Sequence, residues 1–371
     1  MLRAKRVLIV GGTQFIGRAT VEALSRDGAD LTLLNRGTTP CAWLDRLPSL
    51  RVVHCDRWSP GFAAFIATEA PWDAIVDFVA FSPDDVEPVI ALGPRVGLYI
   101  FISSDSVYEA SDPAAFRRSA AGLLTENSDG RYHAARASAD EYGANKLATE
   151  LRLREANSLR SLCMRLPDVL GPHENTQRLR KLLLRLVQGK RVGTQIGGEP
   201  GAGARGRVMP LGLVFAADVA EAIVQAVRQA PALHGAALSS SLHGAEALSP
   251  PLHGADALTS ATPVHICSEW RPTWVELVER LAELLRTRGE LEVPPVQFDE
   301  SKDTRFVSVD CGALDGSRAS RMFPGWKAGA AEARLEECVD WWLEEMRERF
   351  AASERLEKEY ANPEPKKKKT A

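Results

Sequence analysis

The sequence predicts an α/β protein: a doubly wound parallel sheet followed by a smaller, less regular C-terminal region. Three observations predict it. Short apolar runs alternate with helical stretches up to about Leu166, a glycine-rich turn joins the first run to the first helical stretch, and the alternation loosens after Pro167. Alternating β and α elements imply right-handed crossovers, which build parallel sheets with helices on both faces.

Val7–Val10, Leu31–Leu34, Val52–His54, Ala74–Phe78 and Leu98–Ile102 are rich in Val, Ile and Leu and too short for helices. Such runs suit strands buried on both faces, and Ser161–Leu166 reads as the sixth. Between them, Ile16–Arg26 and Pro83–Leu92 carry helical patterns. Beyond Pro167, Arg178–Val187 reads as a basic amphipathic helix with Leu179, Leu182, Leu183 and Leu186 on one side. Val192–Arg207 is glycine-rich and expected to be loop. Ala217–Arg228 returns to helix and Val264–Cys267 to strand. Thr273–Arg286 is a helix whose Thr273 and Glu276 have the spacing of a capping box, and another helix runs from about Ala331 towards Glu357. The organisation expected is a nucleotide-binding unit over 1–230, to which strand 264–267 returns, with a substrate-binding region over 168–215 and 268–358.

Two segments stand apart. Residues 233–262 repeat a Leu-His-Gly-Ala unit three times, at His234, His243 and His253, among Ala, Ser, Gly and Pro. That composition reads as a flexible insertion, and the three histidines lack ligand spacing, so no metal is expected. Residues 359–371 end in Lys366–Lys369, read as a solvated basic tail, with an RNA-facing or nuclear-import arm as the alternative.

The 46 basic and 49 acidic residues leave a net charge of -3, so no global basic field draws in nucleic acid or acidic lipid. Six scattered cysteines form no C-x-x-C pair and read mostly as buried thiols in a reducing compartment. No apolar run reaches the ~18 residues of a membrane span. The basic-then-apolar start breaks at Gly11-Gly12 without a cleavage pattern, so a cytoplasmic protein is expected.

Gly11-Gly12-Thr13-Gln14-Phe15-Ile16-Gly17 carries the first chemistry. A helix N-terminus offers unpaired N–H groups and partial positive charge, a seat for a diphosphate. Gly11 allows the tight turn and Gly17 allows the helix to pack closely on the strand. After the second strand stand Asn35 and Arg36 where NAD binders have a carboxylate for the ribose 2′-OH. An arginine suits a 2′-phosphate instead, so the sequence favours NADP over NAD, with a solvated loop charge as the plainer reading of Arg36. Further on, Tyr142 and Lys146 form a Y-x-x-x-K pattern. Residues four apart share a helix face, and a nearby ammonium lowers a phenol's pKa from its usual value near ~10.

The glycine turn resembles that of the extended short-chain dehydrogenases, the NAD-dependent epimerase/dehydratase family, which are Rossmann-fold proteins. Its middle glycine is replaced by Gln14. That departure resembles an atypical branch containing chloroplast stem-loop RNA-binding proteins and bacterial epimerase-like proteins. Ser103-Ser104-Asp105-Ser106-Val107-Tyr108 is similar to the family's S-[ST]-x-x-V-Y segment, and the resemblance makes Ser104 the hydroxyl that polarises substrate. Arg165–Pro172 resembles the R-P-x-x-V-x-G-P segment lining the nicotinamide, which places Pro167 among the cofactor contacts, and Asp56 stands where the family contacts adenine. Val214–Ala220 resembles the family's return to the sheet.

The resemblance implies that Ser104, Tyr142 and Lys146 are catalytic. It also implies that residues 11–17 (Gly11, Gly12, Thr13, Gln14, Phe15, Ile16, Gly17), Asn35, Arg36, Asp56, Tyr142, Lys146 and Pro167 bind cofactor. The activity expected is that of an NAD(P)-dependent epimerase or reductase acting on a sugar or nucleotide-sugar-like small molecule. Sugar dehydration is disfavoured, because Ser106 replaces the glutamate that dehydratases carry after Asp105. The arginine that nucleotide-sugar members place before Val214–Ala220 is replaced by Leu211, leaving Arg205 and Arg207 as nearby cations. A homodimer through two helices of the nucleotide unit matches what relatives often do. The alternative is a non-catalytic Rossmann-fold protein for RNA contact or regulation.

Overall fold

A computed structural model describes residues 4–126, 141–194, 210–231, 233, 261–289, 292–301 and 312–361. Its first half alternates as the apolar runs require: β1 (Arg6–Val10), α1 (Phe15–Arg26), β2 (Asp30–Asn35), β3 (Arg51–His54), α2 (Pro60–Glu69), β4 (Trp72–Asp77), α3 (Glu87–Ile90), β5 (Val96–Ser104), α4 (Glu141–Glu155) and β6 (Ser161–Leu166). There follow β7 (Asp168–Leu170), α5 (Arg178–Val187), β8 (Val192–Gly193), β9 (Leu213–Phe215), α6 (Ala216–Gln229), β10 (Thr262–His265), α7 (Trp274–Arg288), β11 (Phe298–Asp299), α8 (Ser317–Met322) and α9 (Ala331–Ala361).

Seven strands form one parallel sheet in the order β10-β6-β5-β4-β1-β2-β3. The chain runs outward from β1 through β2 to β3 and then crosses to β4 on β1's other side. That reversal opens a crevice beyond the carboxyl ends of β1 and β4, where such sheets bind ligands. One face of the sheet packs on α1 through Val21 and Leu24, on α6 through Val219, Ile223 and Val227, and on α8 through Ala319 and Met322. The other face packs on Phe62 and Ile66 of α2 and on Val86, Val89 and Leu153. Burial on both faces explains why these strands read as continuous apolar runs.

A second core joins the leucines of α5 to Leu277, Leu281 and Leu285 of α7 and to Leu335, Val339 and Trp342 of α9. Thr273 caps α7 as its spacing predicts: its Oγ1 accepts from the Glu276 N–H at 3.2 Å, and the Glu276 carboxylate accepts from the Thr273 N–H at 2.7 Å.

Three expectations need correction. The helix read over Pro83–Leu92 is a 3-10 turn (Pro83–Val86) followed by a single α turn, because Pro88 has no N–H to give to the carbonyl four residues back. The strand read as Val264–Cys267 starts at Thr262, which therefore belongs to the sheet and not to an insertion, and Cys267 leaves the ladder to donate to the Leu314 carbonyl. The expected loop Val192–Arg207 opens with β8, which pairs with β11, and residues 195–209 lie outside the described residues. The three His-Gly-Ala units, Cys311 and the lysine tail also lie outside them. Cys163, Cys267 and Cys338 are buried, whereas Cys41 and Cys55 are partly exposed. Among the described residues, no helix is long and apolar enough to cross a membrane.

Candidate active site

The turn after β1 is built from glycines that no other residue could replace. A Cβ on Gly17 would fall 2.4 Å from the Gly12 Cα, and one on Gly12 would fall 2.8 Å from the Ile9 side chain. Gly11 and Gly12 also take left-handed backbone angles, φ 91° and 81°. Gln14 does not: at φ -137° it is extended, so nothing in its own backbone demands glycine. The left-handed angle falls on Phe15 instead, at φ 47°. Such a conformation costs a side-chain-bearing residue about 1–3 kcal/mol and is characteristic of ligand sites. As α1 begins, Gln14 makes no side-chain cap, so among the described residues no capping side chain takes the first-turn N–H groups.

A cavity of 220 Å³ opens in front of this turn. Gly11, Thr13, Gln14, Asn35, Arg36 and Asp56 line it, together with Trp58 and Phe81. Gly12, Phe15, Ile16 and Gly17 stand behind the wall, where they shape the turn. Asn35 Oδ1 accepts from the Gly37 N–H at 2.7 Å, which folds the loop back and leaves Arg36 exposed on the rim. Asp56 Oδ1 accepts from the Trp58 N–H at 2.9 Å. Between them Arg57 turns inward. It donates three times to Asp77, at 2.8, 3.1 and 3.1 Å, and once to the Asp85 carbonyl. Asp77 also accepts from the Tyr99 hydroxyl. This buried knot fixes the residue between Asp56 and Trp58, so both neighbours face the cleft. The cradle fits a dinucleotide: close-packed glycines, amides at a helix N-terminus, an exposed cation at the β2 end and a carboxylate at the β3 end.

Lys146 lies at the inner end of the cleft. The helical spacing of α4 buries Gly143, Lys146, Leu147 and Glu150, while Tyr142, one turn earlier, is 47% exposed. The Lys146 Nζ donates to the carbonyls of Ala80 and Ile102, both at 2.8 Å, which uses two of its three N–H bonds. It sits 4.8 Å from the centre of the Phe81 ring and 5.7 Å from that of Tyr142. Phe81 is thus the wall between the cavity and the lysine. Burial pushes the lysine down to about 8, against the opposing pull of Asp77, Asp85 and Glu150.

Ser104 ends β5, half-buried, with its Oγ accepting from the Ser106 N–H at 3.1 Å. Its hydroxyl also lies 3.2 Å from Ser106 Oγ and 3.3 Å from Asp105 Oδ1. A buried polar chain holds this strand end in place. Ser103 donates to Glu150, Arg165 forms a bidentate pair with Glu150, Arg165 also donates to the Tyr108 hydroxyl, and that hydroxyl meets His265 Nε2 at 2.6 Å. Pro167 is buried, 3.2 Å from where a Cβ on Gly212 would stand.

The sequence reading did not single out Arg57, Trp58, Phe81 or Asp168. Burial, with the Asp168 and Glu109 carboxylates nearby, raises Asp105 well above the usual carboxylate range. Adjacency to Asp56 was the one available signal for Trp58. Nothing local marks Phe81, which enters the cleft only through the crossover to β4.

The family model for the NAD dependent epimerase/dehydratase family matches residues 7–91 and 86–237. The chloroplast stem-loop binding protein of 41 kDa b from Arabidopsis thaliana is 32% identical over 120 residues, which span 29% of this chain and 31% of that protein. The fold matches the Bordetella bronchiseptica enzyme WbmH in complex with NAD+ (TM-score 0.62, 18% identity, 92% of this chain and 98% of that one). It also matches the UDP-N-acetylglucosamine 4-epimerase of Methanobrevibacter ruminantium, in complex with UDP-N-acetylmuramic acid (TM-score 0.61, 16% identity, 93% and 100%).

Proposed function

This chain belongs to the NAD dependent epimerase/dehydratase family, enzymes of the extended short-chain dehydrogenase type, and from that premise we propose that it oxidises or epimerises a hydroxyl-bearing, nucleotide-linked sugar with NADP in preference to NAD. The observation that carries the proposal is the desolvated Lys146. A buried ammonium is costly unless something is made of it, and this one lies one helical turn from Tyr142 and behind the cavity wall.

In this reading the turn at residues 11–17 and the first-turn amides of α1 hold the diphosphate. Asp56 takes the adenine end, Arg36 the ribose 2′-phosphate, and the third N–H of Lys146 the other ribose. The bound nicotinamide supplies hydride acceptance and return. Tyr142 takes the proton of the substrate hydroxyl during oxidation and gives it back during reduction. Lys146, charged at neutral pH, stabilises the ionised phenol. Ser104 donates to the oxygen on which negative charge develops. In this structure the Ser104 hydroxyl is directed at Asp105 Oδ1 and Ser106 Oγ, so in this reading it turns from them to meet the substrate oxygen.

Turnover of a nucleotide-sugar panel with NADP+ and NAD+ tests the proposal. Tyr142→Phe is expected to lower kcat by about 100- to 10,000-fold while cofactor affinity stays unchanged; full activity in that variant overturns it. The likeness to the chloroplast stem-loop binding protein favours one second reading, a protein that keeps this fold to bind RNA. Against it, Arg178 and Arg180 of the basic helix α5 are already paired with Asp168 and Glu345.

A further inference from the structure

Lys146 sits in a cage whose walls are unequal. Its Nζ lies 4.7 Å from the centre of the Phe101 ring and 4.8 Å from that of Phe81. Its two hydrogen bonds go to the Ile102 and Ala80 carbonyls, each next in the chain to one of those rings. Phe101 is fully buried in the core, whereas Phe81 is 45% exposed and lines the cavity. Lys146 itself is 2% exposed. One side of the ammonium is therefore closed by the core, and the other by a single ring with the cavity behind it.

The backbone that carries this ring is pinned. The Phe81 N–H donates to Asp85 Oδ2 at 2.8 Å, and the same oxygen accepts from the Ser82 N–H and hydroxyl. The Trp58 indole N–H donates to Asp85 Oδ1 at 2.8 Å. These bonds use only the main chain of Phe81, so a change of its side chain leaves them in place. The charges that face Lys146 are held just as firmly. Asp77 of β4 is bound by Arg57 and Tyr99, Asp85 by the bonds just named, and Glu150 of α4 by Ser103 and Arg165. Those three carboxylates favour the ammonium, while Arg57, after β3, opposes it, and the Tyr142 ring lies on the same helix. Burial outweighs the carboxylates. An aromatic face attracts a cation, but a ring that excludes water also strips the ammonium of hydration, and for a group this dry the second effect is the larger.

We propose that Phe81 is a positioning residue: its ring is the water shield of Lys146, and it, not the core side of the cage, decides how readily the lysine gives up its proton. This rests on the role given to Lys146 above. Competitive labelling of the full-length protein with acetic anhydride, from about pH 6 to 10 and read by peptide mass spectrometry, gives Lys146 a midpoint and a plateau rate without any cofactor. The exposed Lys181 and Lys190 are the references. In the wild type the midpoint is expected at about 8, with a plateau at least about tenfold below the references.

Phe81→Ala and Phe81→Ser should each raise the midpoint by about one pH unit or more and the plateau by about threefold or more. Phe81→Leu, which keeps apolar cover without an aromatic face, should stay within about half a unit of wild type. Cys163, buried in the same core as Phe101, should remain closed to a thiol reagent in all three, which separates loss of the shield from unfolding. An unmoved or lowered midpoint in Phe81→Ala and Phe81→Ser overturns the proposal, as does a wild-type Lys146 that labels as fast as Lys181. The alkaline limb of kcat should rise with the midpoint. A midpoint that moves while the limb stays counts against the part given to Lys146 in turnover, not against the shield.

Discussion

Gln14 and Asn175 meet across the mouth of the cofactor cleft, the Asn175 Nδ2 donating to Gln14 Oε1 at 3.2 Å. One belongs to the phosphate turn and the other to the loop after β7. The bond draws the Gln14 side chain sideways, so the absence of the usual glycine need not block the turn's amides. Asn175→Ala frees that side chain to compete for the space. It is expected to weaken cofactor binding by about 2- to 10-fold, the value of one ordinary hydrogen bond. Gln14→Gly should bind at least as well as wild type. Fluorescence titration of NADPH measures both, and a weaker Gln14→Gly would contradict this account.

Gly17→Ala should be far more damaging. Its Cβ would meet backbone rather than a flexible side chain, 2.4 Å from the Gly12 Cα, so α1 must move off β1. A loss of about 1–3 kcal/mol of stability is expected from overpacking of this kind, together with loss of cofactor binding. Chemical denaturation and calorimetry would show both; a variant with wild-type stability and affinity argues against the packing described.

Much of the nucleotide fold was legible because its strands are buried on both faces and so read as apolar runs. The Thr273–Glu276 cap was legible because both partners are local. The Arg57–Asp77–Tyr99 knot and the Ser103–Glu150–Arg165–Tyr108–His265 chain were not, because their partners come from separate elements that only the sheet order brings together. Within the candidate site, Lys146 could be named from spacing, but its desolvation depends on Ala80, Phe81 and Ile102, far away in the chain. Phe15's left-handed backbone was equally invisible: the sequence shows a missing glycine at 14, whereas the strained residue is 15.

Arg36 should set cofactor preference. It is exposed on the cavity rim with no carboxylate beside it in β2. Arg36→Ala is expected to weaken NADPH binding by about tenfold or more, through loss of a charge-assisted contact, while NADH affinity changes by about twofold at most. Paired titrations decide it, and an equal loss for both cofactors would assign Arg36 a general rather than a 2′-phosphate role.

Lys146 predicts opposite pH responses for activity and stability. In the folded protein it gives up its proton at about 8, and in the unfolded chain near ~10.4. Activity should fall as pH rises through about 8, because the neutral amine no longer stabilises the Tyr142 phenolate. Between the two values the unfolded chain binds more protons, so raising pH favours the folded state. The cost of burying the charge is therefore full below pH 8 and fades above it. Wild-type stability relative to Lys146→Met should rise from pH 8 to 10 while wild-type kcat falls. A flat kcat profile across that interval would contradict the role given to Lys146.

The proposed cofactor site is the turn after β1, holding a nicotinamide dinucleotide. Its most direct measurement is calorimetric titration of the purified full-length protein, freed of bound nucleotide, with NADP+ and NAD+. One site per chain, tighter for NADP+, is the predicted result; no heat and no bound nucleotide with either would contradict it.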